Sequence, residues 1–153
     1  MRGTGWLLVG GALSAIAAAT HLGAVVAGGP GYRLLGAGEP FARAAEQGLR
    51  TPALVTMAIA AVLATAATYA VSGAGLIRSL PLLRSGLVVI SLAYLARGAV
   101  LFAPSLLARP DLSAGFLFWS SAIVLGFGVA HAVGTWRAWP TLESARDLME
   151  TTR

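Results

Sequence analysis

The chain contains no cysteine, which excludes disulfides, thiolate metal sites and cysteine nucleophiles and leaves the redox compartment open. It contains no lysine either, so all eleven basic residues are arginine. Charge of either sign is scarce, at 11% of 153 residues, and the six acids fall outside every long apolar run. Proton or ion transfer through a membrane draws on intramembrane carboxylates, and here two histidines, His21 and His131, would have to carry it alone. No metal site is expected, because neither histidine has the HxxH, HxxE or ExxH spacing that puts two ligands on one helix face. Ser120 and Ser121 have no acid–base partner at a useful spacing, which argues against serine chemistry.

What is abundant is apolar surface. The sequence is 57% hydrophobic with a mean hydropathy of +0.77, well outside the balance of a soluble domain. Gly3 to Tyr32, Thr51 to Ile77 and Leu112 to Trp136 carry no charge, and each exceeds the ~20 residues that cross a bilayer as a helix. A fourth run, Leu80 to Ala103, is interrupted by Arg84 near its start and by Arg97. These runs predict an all-α, four-transmembrane-helix bundle as one domain over residues 1–139. Spans are expected at about 6–27, 51–73, 80–103 and 114–139, followed by a short tail at 140–153. The opening residues have signal-peptide character, but the apolar run continues past Ala17-Ala18-Ala19 to Gly28, so an uncleaved first span is expected.

The formal charge of +5 does not point to nucleic acid. The arginines flank spans, where lipid headgroups and topology account for them. Arg2, Arg78, Arg84, Arg137, Arg146 and Arg153 fall on one side of the membrane, against Arg33, Arg43, Arg50 and Arg109 on the other, which favours cytoplasmic termini.

Between spans one and two, Glu39-Pro40 opens a short amphipathic helix in which Glu39/Arg43 and Glu46/Arg50 are spaced for ion pairs. Pro52 starts span two, a tight Ser72-Gly73-Ala74-Gly75 turn makes spans two and three antiparallel neighbours, and Ser113 caps span four after the Arg109-Pro110-Asp111 turn. Small residues recur every four positions: Gly11, Ala15, Ala19, Gly23 and Ala27 in span one, Ala60, Ala64, Thr68 and Ser72 in span two, and Ala122, Gly126, Ala130 and Gly134 in span four. Such rows are expected to form the helix-packing faces, or to join copies in a homo-oligomer. The tail, through Leu142, Ala145, Leu148 and Met149, is expected to rest on the membrane surface.

Arg97 lies well inside span three, where a charge requires a polar partner or a route to the headgroups. At ~1.5 Å per residue, Arg97 and His21 stand at similar heights, roughly 22–24 Å above the cytoplasmic ends of their spans, and His131 stands roughly 12 Å above its own. That difference argues against a haem held between His21 and His131. An outer-leaflet cluster of His21, Tyr94, Arg97 and Glu46 is therefore expected, apart from an inner group of Tyr69, Ser72 and His131.

The segments AATHLG, GAGEPFARAAEQG, TYAVSGAG, LPLLRSGLV, YLARG and FWSSAIVLGFG resemble a group of small, uncharacterised bacterial four-span membrane proteins. That resemblance implies the four-helix architecture and a bacterial inner membrane, and no activity. A partial resemblance, in length, span number and Arg43-Ala44 followed by Gln47, is to the membrane-associated eicosanoid and glutathione metabolism family, which implies trimers and glutathione chemistry. Here Arg50 stands in place of that family's acid, and Pro52 comes one residue early.

The function expected from these features is an accessory or binding protein that offers an outer-leaflet pocket to a lipid-like or quinone-like molecule through His21, Glu46, Tyr94 and Arg97. The alternatives are a small membrane enzyme using His21 or Glu46 as acid–base group and Arg97 as clamp, and a structural oligomer packed through its small residues. Membrane lipids are the expected partners, and no cofactor is expected.

Overall fold

The computed structural model describes residues 4–103, 105 and 112–151, with side chains to residue 142. Every regular element among them is helical: α1 (Thr4–Ala27), α2 (Gly29–Leu34), α3 (Glu39–Glu46), α4 (Thr51–Gly73), α5 (Leu83–Ala99) and α6 (Ala114–Thr151), with a 3₁₀ turn at Val100–Phe102 after α5. Four segments, Thr4–Ala27, Thr51–Gly73, Leu83–Phe102 and Ala114–Leu142, are long and apolar enough to cross a bilayer. The chain is an all-α, multi-pass membrane protein.

Local sequence sets most helix ends. Gly28 takes a left-handed φ of 65°, which only glycine adopts cheaply, and breaks α1 from α2. Prolines occupy the first turns of α2, α3 and α4, where no backbone N–H is needed. The Ser113 hydroxyl accepts the Phe116 N–H at 3.1 Å and caps α6. Two ends differ from expectation. Helix α5 begins at Leu83, because residues 78–82 form a loop through Pro81. Helix α6 does not stop before Pro140 but runs through it to Thr151. Pro140 lacks the N–H that would bond the Trp136 carbonyl, and around it Thr141 Oγ1 donates to the Ala138 carbonyl at 2.7 Å and Arg84 Nη2 reaches the Trp139 carbonyl at 3.5 Å. The Arg109-Pro110-Asp111 turn and the side chains of Ala145, Leu148 and Met149 lie outside the described residues.

The spans pack as two close antiparallel pairs, α1 with α4 and α5 with α6, joined along α1 and α6. Around the bundle the order is α4, α1, α6, α5, so α1 and α5 face each other across a diagonal with no backbone contact among the described residues. Helix α4 meets α5 near their shared turn, where Tyr69 lies against Gly86 and Leu87 against Gly73. This proximal end also holds the start of α1 and the latter part of α6; its core is Leu7, Leu83, Leu87, Ala138 and Leu142. The distal end carries α2 and α3.

The four-residue rows are only partly the packing faces. Gly11 meets Ala70 and Ala67, and a Cβ on Gly134 would stand 2.8 Å from the Leu7 backbone nitrogen, so both sit at close helix crossings. Ala130 is buried as well. By contrast Ala15, Ala19, Gly23 and Ala27 in α1, Ala64 and Thr68 in α4, and Gly126 in α6 are exposed, and open space surrounds Gly23 and Gly126. The physical reason is angular. A step of four residues overshoots one helical turn by about 40°, so a strict row winds off the buried face within two turns. The faces that pack alternate steps of three and four: Leu7, Gly10 or Gly11, Ser14 and Ala18 in α1, and Phe127 or Gly128, His131, Gly134 or Thr135 and Ala138 in α6.

Candidate functional site

At the proximal end, a cavity of about 1010 Å³ lies between the 78–82 loop, the first turns of α5 and α6 near Trp139. Its wall is built before anything enters it. The buried Ser72 hydroxyl donates to the Arg78 carbonyl and accepts the Leu80 N–H, both at 3.1 Å, and Tyr69 Oη donates to the Pro81 carbonyl at 3.1 Å. Three hydrogen bonds from α4 thus fix a loop that has no regular structure of its own. Leu82 closes the loop with a φ of 52°, the one non-glycine residue with positive φ among those described, and it lines the cavity.

The rim is basic and the floor apolar. Arg84 lies over the Trp139 ring with its guanidinium carbon 4.5 Å from the ring centroid. Arg78, which is exposed, also lines the cavity, and Leu80, Val88 and Val89 supply apolar wall. No carboxylate lines the cavity among the described residues. Helix α5, one of the four segments long and apolar enough to cross a bilayer, starts at this cavity.

Comparison with family models, with curated proteins and with solved structures finds no match to this chain.

A second polar group lies at the centre of the bundle. His131 is completely buried, with Gly10 of α1 directly over its ring and Tyr94 of α5 beside it at 5.1 Å between centroids. Its Nδ1 donates to the Phe127 carbonyl at 3.0 Å, and the ring also faces the Ala66 backbone of α4; the buried Thr135 hydroxyl, one turn along α6, has no hydrogen bond among the described residues. Tyr94 Oη and Ser14 Oγ share a hydrogen bond of 2.9 Å, the one polar link across the α1–α5 diagonal among the described residues. This hydroxyl pair joins two helices, α1 and α5, whose backbones stay apart.

The expected outer cluster of His21, Tyr94, Arg97 and Glu46 does not assemble. Tyr94 turns to Ser14 and His131, because the faces of α5 that meet α6 and the bundle centre are offset around the helix. Arg97 Nη1 donates to the buried Ser121 hydroxyl at 3.0 Å, within the α5–α6 pair. His21 bonds its own helix, Nδ1 donating to the Ala17 carbonyl at 2.8 Å. Glu46 stays at the distal surface, where Arg33 reaches it at 2.6 Å and Glu39 at 2.9 Å, while Arg43 also pairs with Glu39 at 2.9 Å. The expected Glu46/Arg50 pair is absent, since α3 stops at Glu46 and Gly48, at φ 76°, turns the chain away. The two arginines hold the Glu39 carboxyl down at about 2, and Arg33 holds the Glu46 carboxyl below its ordinary value. The expected inner group also divides: Tyr69 and Ser72 anchor the cavity loop, and His131 lies in the bundle centre.

Among the described residues, no group of three His, Asp or Glu side chains could hold a metal ion. Arg84 was legible in the sequence only as a topology marker, and nothing there linked it to Trp139. Their spacing of 55 residues gives no local signal. Ser14 was not open to the height argument: with spans starting at about 6 and 80 it stands about 12 Å up against about 21 Å for Tyr94, and only the observed starts, Thr4 and Leu83, bring the two level.

Proposed function

We propose that this chain is an integral membrane binding protein, an accessory rather than a catalyst, that holds an amphipathic lipid-like molecule in the proximal cavity. The observation that carries this reading is the cavity itself. It combines about 1010 Å³ of space, a hydrogen-bonded loop wall, an apolar floor and a polar rim, at the depth where a lipid changes from headgroup to chain. The earlier expectation of an outer-leaflet pocket gives way to this one, because His21, Glu46, Tyr94 and Arg97 each have separate partners. With both termini cytoplasmic, as the arginine distribution favours, the ligand comes from the cytoplasmic leaflet.

The test is ligand retention. Protein extracted in mild detergent and examined by native mass spectrometry should carry lipid adducts. Val88→Trp, which projects an indole into the cavity from its wall, should reduce them while leaving the helical circular dichroism unchanged. Adducts that survive Val88→Trp at wild-type level would show that the cavity is not the site.

A further inference from the structure

The start of α5 departs from the pattern set by the three helices before it. Prolines stand in the first turns of α2, α3 and α4, where a missing N–H costs nothing. Pro81 is placed to open α5 in the same way, yet the helix begins at Leu83, behind a Leu82 held at φ 52° and ψ 32°. A leucine in that left-handed region crowds its Cβ against the following carbonyl. Its side chain does not hold it there, being 79% exposed. The restraint comes from α4: Tyr69 Oη donates to the Pro81 carbonyl, and Ser72 bonds the Arg78 carbonyl and the Leu80 N–H, each at 3.1 Å. The Tyr69 ring is itself seated against Gly86, on the first turn of α5.

We infer that residues 79–82 are a two-state strap over the proximal cavity, tied to α4 in the structure and released when Leu82 turns right-handed and α5 starts at Pro81 instead. One carbonyl changes partner between the two states. In the tied state the first backbone bond of α5 runs from the Gly86 N–H to the Leu82 carbonyl, so the Ser85 N–H is one of the terminal donors that no helical carbonyl meets. In the released state that N–H takes the Pro81 carbonyl that Tyr69 gives up. Leu80, preceding a proline, keeps the extended backbone that suits the position before a helix. Relief of the Leu82 backbone favours release, and the Ser72 and Tyr69 bonds favour the tie. Leu80, Pro81 and Leu82 line the cavity, whereas Tyr69 and Ser72 do not, so the two α4 residues set the wall without touching an occupant. The link to the cavity rests on the binding reading above: a lipid-like occupant packs on the tied wall and leaves through the released one.

Amide exchange of the full-length protein in dodecyl maltoside micelles reads the two states at the Leu80 N–H, which release frees from Ser72. Leu82→Gly should slow that exchange about ten-fold, because glycine adopts the left-handed conformation freely and leucine does not. Leu82→Ala keeps the Cβ and should stay within about two-fold of wild type. Equal exchange in Leu82→Gly and Leu82→Ala would overturn the strain at Leu82. Tyr69→Phe removes one tie and should speed exchange about five-fold. In that variant the carbon chemical shifts of Pro81 and Leu82 should move toward helical values; a move toward random-coil values would mean that the loop merely loosens, and would refute the second state. By native mass spectrometry, Leu82→Gly should keep the lipid adducts of wild-type protein, and Tyr69→Phe should carry about five-fold fewer. Adducts unchanged in Tyr69→Phe despite its helical shifts would refute control of the cavity by the strap. Wild-type protein with no adduct that Val88→Trp reduces would sink the binding reading alone, since the exchange and chemical-shift measurements need no ligand.

Discussion

Gly98→Ala is the sharpest probe of the packing. A methyl group at this position would stand 2.5 Å from the Leu125 Cα and 2.6 Å from its backbone nitrogen. Carbon contacts settle near ~3.5 Å, so α5 and α6 must separate by roughly 1 Å around the crossing. Neither helix can yield by rotating a side chain, because the opposing atoms are backbone. A gap of that size forfeits roughly a quarter to a half of each dispersion contact along the seam. The seam includes the Arg97–Ser121 bond and the packing of Gly128 on the Leu95 backbone. Overpacking of this kind costs about 1–3 kcal/mol. The bilayer offers no hydrophobic compensation, since lipid tails solvate the separated helices as well as the other helix does. The assay is equilibrium unfolding in mixed dodecyl maltoside and SDS micelles followed by far-ultraviolet circular dichroism. Gly126→Ala is the internal control: its methyl group meets open space, and its effect should stay within about 0.5 kcal/mol or be slightly stabilising. If Gly126→Ala loses as much stability as Gly98→Ala, the assignment of packed and lipid-facing sides is wrong.

Other perturbations address the remaining features. Gly10→Ala puts a methyl group 2.7 Å from His131 Nδ1 and should cost about 1–3 kcal/mol in the same assay; His131→Ala in the Gly10→Ala background should recover part of it, and strict additivity would deny the contact. Ser72→Ala removes both bonds to the 78–82 loop and leaves the Leu80 N–H unpaired, for about 1–3 kcal/mol, read as faster amide exchange at residues 78–82. Glu39 titrates at about 2 in the folded state against an ordinary 4.5, so its contribution is complete above pH 4.5 and is lost as pH falls toward 2. Proteolysis of the 28–50 segment should accelerate through that window, and Arg33→Gln should reproduce the acid phenotype at pH 7. Unchanged cleavage in Arg33→Gln would mean that the ion pairs do not hold α2 to α3.

The sequence by itself determined the four spans, because bilayer crossing depends on length and apolarity along the chain, and it determined local devices such as the Ser113 cap and the Glu39/Arg43 pair. These depend on neighbours within about four residues. Even the end of α6 lay partly beyond that range, since Pro140 ordinarily stops a helix and here does not. Which face of each span turns inward was decided by tertiary structure, since small residues appear on both the packed and the lipid-facing sides and a membrane supplies no polar solvent to mark the difference. For the same reason the partners of Tyr94, Arg97 and Glu46 were not legible: Ser14, Ser121 and Arg33 lie 80, 24 and 13 residues away. The cavity belongs wholly to that second class. Residues 78–84 and Trp139 meet because α5 and α6 pair antiparallel and Ser72 ties the connecting loop to α4, and no pattern along the chain encodes that meeting.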